Sequence, residues 1–201
     1  MRDEEADYEV MARWLTDPRV LEFYEGRDNA FSVDRIREEY SPRVLGLEHV
    51  TPCLLLFEEA PMGYVQFYPI TEDLRCEYGL PFEADINNVY GLDQFIGEVD
   101  LWNRGLGSRA VSLLLQYLFQ VQGAKKAILD PHVGNLRAIR SYEKCGFRRV
   151  RIMPGHELHE GEYRDAWLME ISAPTVFPGT RSEPMLNIDN SVVGGDSRNR
   201  D

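Results

Sequence analysis

The apolar positions fall into short runs whose spacing switches between helical and extended periods. Residues 8–16 place Val10, Met11, Trp14 and Leu15 at helical spacing, and Pro18 limits that run. The segment 20–28 is aromatic and then turn-like. A second short helix follows Ser32, with Val33, Ile36 and Tyr40 on one face. Two extended runs, 53–59 and 62–70, flank Ala60 and Pro61 and read as a hairpin. Residues 71–87 are polar and irregular, which predicts a loop able to border a site. A strand over 88–97 leads through a glycine-bearing turn into a long helix with an apolar face, 106–120. A short buried strand, 127–130, precedes a helix over 135–146 that Gly146 closes as a C-terminal cap. Residues 147–153 and 163–172 supply two final strands. From Ala173 onward Pro, Gly, Ser, Asn and Asp dominate, which predicts a flexible tail over 173–201. No internal repeat is visible. The order predicts an α/β (α+β) domain over 1–172, a mixed central sheet flanked by helices.

Length and charge narrow the function classes. The 201 residues suffice for one domain with a full core and are too few for two of ordinary size. No run approaches the roughly 18–20 apolar residues that span a bilayer. The acidic start, residues 1–10, does not resemble a signal peptide. Cys53, Cys76 and Cys145 are odd in number and widely spaced, which suits a reducing compartment. These features predict a cytoplasmic protein with no membrane partner. A net charge of −12 argues against nucleic acid, whose binding starts with a cationic face on phosphates. The same charge is compatible with a cationic substrate drawn from a distance, and equally with solubility alone.

The turn before the long helix is the first candidate site. Arg104, Gly105, Leu106, Gly107 and Ser108 lie between a strand and a helix start. Glycines let a ligand approach the backbone, and unpaired amides at a helix N-terminus attract phosphate. Arg104 can add charge. The turn lacks both the dinucleotide fingerprint and the P-loop lysine, which makes a nucleotide hydrolase improbable. A second segment follows the next strand: Asn135, Ala138, Tyr142, Gly146 and Phe147 stand in the pattern N-x-x-A-x-x-x-Y-x-x-x-G-F.

Together the two segments resemble the acetyl-CoA motifs of the GNAT acyltransferase superfamily. The resemblance implies that the pyrophosphate rests on the amides of the 104–108 turn, and that Asn135 and Tyr142 lie beside the pantetheine arm. Trp102 departs from the motif, which usually carries Gln or Arg there. Members of the superfamily begin with an edge strand, for which this chain leaves only a few residues before its first helix. Either the assigned start lies downstream of the true one or the strand is dispensable.

Acyl transfer needs a neutral amine, whereas an alkylammonium is mostly protonated at pH 7. A carboxylate that takes the proton and an acid beside the leaving thiolate answer that need. Asp93 is the candidate base, an acid within a strand whose cost asks for a reason; a position on a solvent face, or hydrogen-bonded at an irregularity in the strand, is the alternative. Tyr142 is the candidate acid, with ordinary packing as its alternative. Asn135 either contacts the coenzyme arm or caps the helix it opens, and the two are compatible.

Residues 14–28, 90–97 and 129–147, joined by 156–161, are similar to the aminoglycoside 6′-N-acetyltransferases. That resemblance implies acetyl-CoA and an aminoglycoside as partners, a monomer or homodimer, and resistance to the antibiotic as the outcome. It makes Asp93 act on the 6′-amine and Asp130 a ligand of the substrate. Asp73 and Glu160 are further candidate ligands, Tyr90 helps position the base, and Tyr24, with Phe23, forms a wall against sugar rings. A GNAT enzyme for another amine (a protein N-terminus, polyamine or siderophore precursor) and a non-catalytic acyl-CoA sensor are the competing readings. His156 and His159 lack the zincin pattern and an evident third ligand, so they are expected to be polar residues of a strand-to-strand loop, without metal.

Overall fold

The computed structural model describes residues 1–174 and 186–189, the latter as backbone only. Helix α1, Glu5–Trp14, buries Tyr8, Met11 and Trp14 on one stripe. Asp17 ends that run by capping a short helix α2, Pro18–Leu21, where the proline's missing N–H costs nothing. The Ser32 hydroxyl accepts from the Arg35 amide and opens α3, Val33–Val44, which buries Ile36, Tyr40 and Val44. The expected hairpin is present as β1, Thr51–Phe57, and β2, Ala60–Pro69. Its turn falls at Glu58 and Glu59 rather than at Ala60-Pro61, with both glutamates at positive φ, 50° and 65°. A two-residue hairpin needs that backbone to match the strands' twist, whatever side chains it carries.

Residues 71–87 are not wholly a loop. Thr71 caps a helix α4, Glu72–Glu77, by accepting from the Leu74 amide. Strand β3, Val89–Ile96, leads to α5, Leu106–Gln120, which buries Leu106, Ala110, Val111, Leu114, Leu115 and Leu118. Each leucine so covered contributes about 1.5–3 kcal/mol of transfer free energy. Strand β4, Lys126–Leu129, is followed by α6, Leu136–Lys144. Gly146 closes α6 as expected: its amide donates to the Glu143 carbonyl at 3.0 Å, and that of Phe147 to Tyr142 at 3.1 Å, a Schellman arrangement. The last hairpin joins β5, Arg148–His159, to β6, Glu162–Ser172, so His156 and His159 belong to a strand, not to a loop.

The sheet order is β5-β6-β4-β3-β2-β1-β7, where β7 is Leu186–Asp189. Among the described residues, only the β3–β4 pair is parallel. β7 lies in the segment expected to be a flexible tail, yet its backbone pairs antiparallel with β1 from Leu54 to Phe57 and forms the sheet edge there. The other residues beyond 174 lie outside the described residues. Alternation sorts the sheet's two faces: Cys53, Leu55 and Val65 pack under α5 and α6, whereas Leu54, Tyr64 and Phe95 pack under α1–α3. Among the described residues, no helix is long and apolar enough to cross a membrane.

Candidate active site

Strands β3 and β4 keep register only from Val89–Lys126 to Gly91–Ile128. β3 then runs on to Ile96 against β2, while β4 stops at Leu129. The two part at the C-terminal end of the parallel pair, where open α/β sheets receive ligands. Two adjoining clefts open there, of about 400 and 370 Å³. Phe23, Tyr24, Gln94, Asn135, Ala138 and Tyr142 line both, so these residues mark their junction.

The first cleft is built on the glycine turn. Gly105 takes φ +76° as the residue before α5, a conformation that favours glycine, and no side chain caps the helix. The amides of the first turn therefore lack intrahelical partners, and Leu106, Gly107 and Ser108 line the cleft. A Cβ on Gly107 would meet nothing nearer than 3.8 Å, so packing inside the protein does not demand glycine. Room above the amides suits an incoming phosphate. Arg104 is exposed and does not line the cleft; the cations that do are Arg137, Arg140 and Lys144 of α6. Arg137 stacks over Trp102 at 3.7 Å, and the Trp102 indole N–H donates to the Ile96 carbonyl at 2.7 Å. The tryptophan that departs from the motif is thus the platform for a cation facing the cleft. Asn135 caps α6, accepting from the Ala138 amide at 3.1 Å, and lines both clefts as well.

Carboxylates dominate the second cleft: Asp93, Asp130, Glu25, Glu77 and Glu157 line it. Asp93 is half-buried, and its Oδ2 accepts from the Gln66 amide at 2.8 Å. A Cβ on Gly91 would meet the Tyr68 ring at 2.2 Å, so glycine there lets the tyrosine lie across β3. The Tyr68 hydroxyl is 3.0 Å from that of Tyr78, which in turn donates to Asp130 Oδ1 at 3.3 Å. His156 Nε2 lies 2.9 Å from Asp130 Oδ2, and its ring packs on Tyr78 at 5.7 Å between centroids.

These neighbours set the protonation states. Burial, then the charge of Asp130, pushes the Asp93 carboxyl up to about 7, and the Gln66 and Tyr68 hydrogen bonds offset only part of that rise. The hydrogen bond to Asp130 holds the His156 imidazole above its usual value, against the opposing effect of burial. Burial also raises the Tyr142 hydroxyl well above the ordinary phenol range, so it stays protonated as a donor at neutral pH. A carboxylate poised near neutrality in an acidic cleft can accept a proton from a bound ammonium.

The structure brings together Asp93, Asp130, Tyr142, Asn135, Tyr24 and residues 105–108. It separates Tyr90, Asp73 and Glu160 from them, in addition to Arg104. Tyr90 and Asp93 are an odd number apart on β3, so Tyr90 points to the opposite face, packed on Phe67 beside Tyr117. Asp73 is exposed on α4; Leu74 and Glu77 of that helix, and Tyr78 just after it, line the cleft instead. Glu160 is held by Arg27, through both the side chain at 2.5 Å and the backbone N–H at 3.0 Å. The sequence reading missed Gln66, Tyr68, Tyr78, His156, Glu157 and Arg137. Gln66, a polar residue inside an apolar strand, carried a usable signal; Tyr78 sat in a segment read as irregular.

The chain matches a family model described as an acetyltransferase (GNAT) domain over residues 3–154. It is 34% identical over 145 residues to aminoglycoside N(6′)-acetyltransferase type 1 of Klebsiella pneumoniae, covering 72% of this chain and 71% of that one. It is 26% identical over 153 residues to N(6)-hydroxylysine O-acetyltransferase of Escherichia coli, covering 74% of this chain and 45% of the relative. Among solved structures, AAC(6′)-Ib in complex with ribostamycin and coenzyme A superposes with a TM-score of 0.68 at 29% identity, over 86% of this chain and 90% of that one. With a glycine turn for phosphate, a splayed sheet and these likenesses, the chain belongs to the GNAT acetyltransferase family.

Proposed function

We propose that this protein is an acetyl-CoA-dependent aminoglycoside 6′-N-acetyltransferase, working in the cytoplasm and conferring resistance to the antibiotic. The observation that carries the reading is Asp93, raised toward neutrality beside Asp130, in an acidic cleft that joins the cleft over the glycine turn. An aminoglycoside carries several ammonium groups, and clustered carboxylates both hold and steer such a polycation. The likeness to 6′-acetyltransferases supports the choice of amine.

The amides of residues 106–108, with Arg137 beside them, would hold the coenzyme's pyrophosphate, and its acetyl end would be presented at the junction near Tyr142. Asp130 holds the substrate, and Asp93 takes one proton from the 6′-ammonium. The neutral amine attacks the thioester carbonyl, forming the C–N bond. As the intermediate collapses the C–S bond breaks, Tyr142 gives its proton to the departing sulfur, and the nitrogen's second proton restores the Tyr142 hydroxyl. The products are the 6′-acetamide and coenzyme A thiol.

Thiol release from acetyl-CoA by the purified chain, compared among kanamycin, paromomycin with its 6′-hydroxyl, and spermine, tests the proposal. Rapid release with kanamycin and little with the other two is the expected result. Preference for spermine, or no release at all, would keep the fold and discard the antibiotic.

A further inference from the structure

His159 is a buried side chain, 5% exposed, at the end of β5. Its Nε2 lies 3.0 Å from the Glu22 carbonyl. A carbonyl only accepts, so that contact places the ring proton on Nε2 and leaves a lone pair on Nδ1. That Nδ1 is buried and has no hydrogen-bond partner among the described residues. A buried acceptor left unmet destabilises the fold, so this lone pair favours an electron-pair acceptor beside it.

Two further donors stand beside it. Glu157 precedes His159 by two residues on β5, so both side chains leave the same face of the strand. His132 approaches from the loop after β4, its Nε2 2.8 Å from Glu157 Oε2 and its ring edge-on to His159 at 4.5 Å. One donor atom from each of the three lies within 4.8 Å of the others. The backbone holds each ligand in place: His132 bridges to Ala166 of β6, and Glu157 and His159 pair with Arg164 and Glu162 of the same strand.

We propose that His132, Glu157 and His159 form a binding site for a divalent metal ion of the zinc type, tying the β4–α6 loop and the chain after α2 to the end of β5. Two imidazoles and a carboxylate suit a borderline cation, with water in a fourth position. The Glu22 carbonyl is the outer partner that metal-bound histidines require on their second nitrogen. None of the three is the Asp93 carboxyl, although the Glu157 charge reaches it, and the role of the site is to brace one wall of the substrate cleft, which His132 and Glu157 line.

The test is titration of the chelator-treated full chain with Zn²⁺ by calorimetry, and with Co²⁺ by absorption spectroscopy. The expected result is one ion per chain and tetrahedral cobalt bands without thiolate charge transfer. Loss of a ligand should weaken binding by roughly tenfold or more in His132→Ala and in Glu157→Gln. Because His159 is buried and its replacements risk misfolding, His132→Ala carries the decision. Cys76→Ser, at an exposed thiol, should bind as the parent does. No saturable binding, a thiolate band, or unchanged affinity in His132→Ala would overturn the site; the first outcome would leave an ordered water as the partner of His159 Nδ1.

Discussion

Asp93→Asn separates what this carboxylate does for the reaction from what it costs the fold. The amide is nearly isosteric, and its oxygen can keep the bond from Gln66 Nε2, now 2.8 Å long. Removing a general base lowers turnover by about 10²–10⁴-fold, whereas the 105–108 turn is untouched, so coenzyme affinity should stay within twofold. Stability should move the other way. A carboxyl raised from 3.8 to about 7 in the folded chain binds its proton more tightly there than when unfolded. Stability therefore falls as pH rises from about 4 to about 7 and is level above that. The whole interval amounts to at most about 4 kcal/mol. Asparagine carries no such penalty, so the variant should melt higher than the parent at pH 8 and much like it at pH 4. Each kcal/mol is worth about 2–4 °C in a chain of this size. Steady-state thiol release and melting at the two pH values are the assays. Turnover within tenfold of the parent would remove Asp93 from proton transfer, and equal melting points at pH 8 would show that the carboxylate is not strained.

Other perturbations report on the remaining parts. Asp130→Asn should raise KM for the antibiotic and shift the acidic limb of the pH–rate profile to lower pH, since Asp130 is one of the charges raising Asp93; an unmoved limb would show the two are uncoupled. His156 faces Asp130, Glu77 and Glu157, and its raised imidazole competes with the substrate's ammonium for Asp130 when protonated. His156→Gln should therefore lower the antibiotic KM at pH 6 and leave it unchanged at pH 8, as initial rates at the two pH values would reveal. Gly107→Ala meets no protein atom within 3.8 Å and should fold and melt normally, yet its methyl occupies the phosphate's approach, so KM for acetyl-CoA should rise at least tenfold. Trp102→Ala removes the platform under Arg137, a loss of about 0.5–2 kcal/mol that calorimetry with coenzyme A would register as weaker binding.

The parts legible in the sequence were those with a local cause. The glycine turn, the α6 motif and the Gly146 cap follow from backbone needs within a few residues, and each stands where the pattern put it. Asp93 was visible because an acid in an apolar strand is anomalous, whereas Asp130 came only through the resemblance to the 6′-acetyltransferases. Tyr78, His156 and Glu157 carried no such mark. They reach the cleft through pairings between elements far apart in the chain: Tyr78, just past α4, hydrogen-bonds Asp130 beyond the end of β4, and β5 extends past the point where hydrophobic alternation fails, with a register shift between Met153 and Glu157. Tyr90 misled for the opposite reason, since its nearness in sequence to Asp93 hides the strand's two-residue period.

The separation of β3 from β4 explains why the two acids must act together. Were the parallel register to continue past Gly91–Ile128, Asp93 and Asp130 would each be flanked by backbone, and the core under α5 and α6 would close over the gap. The parting that admits the coenzyme is the same one that leaves both carboxylates facing a shared, partly desolvated space. Their repulsion is therefore a consequence of making room for the cosubstrate, and an incoming polycation relieves it. The ammonium groups of a bound polycation lower the proton affinity of Asp93 and so hold it in the carboxylate form that accepts the proton.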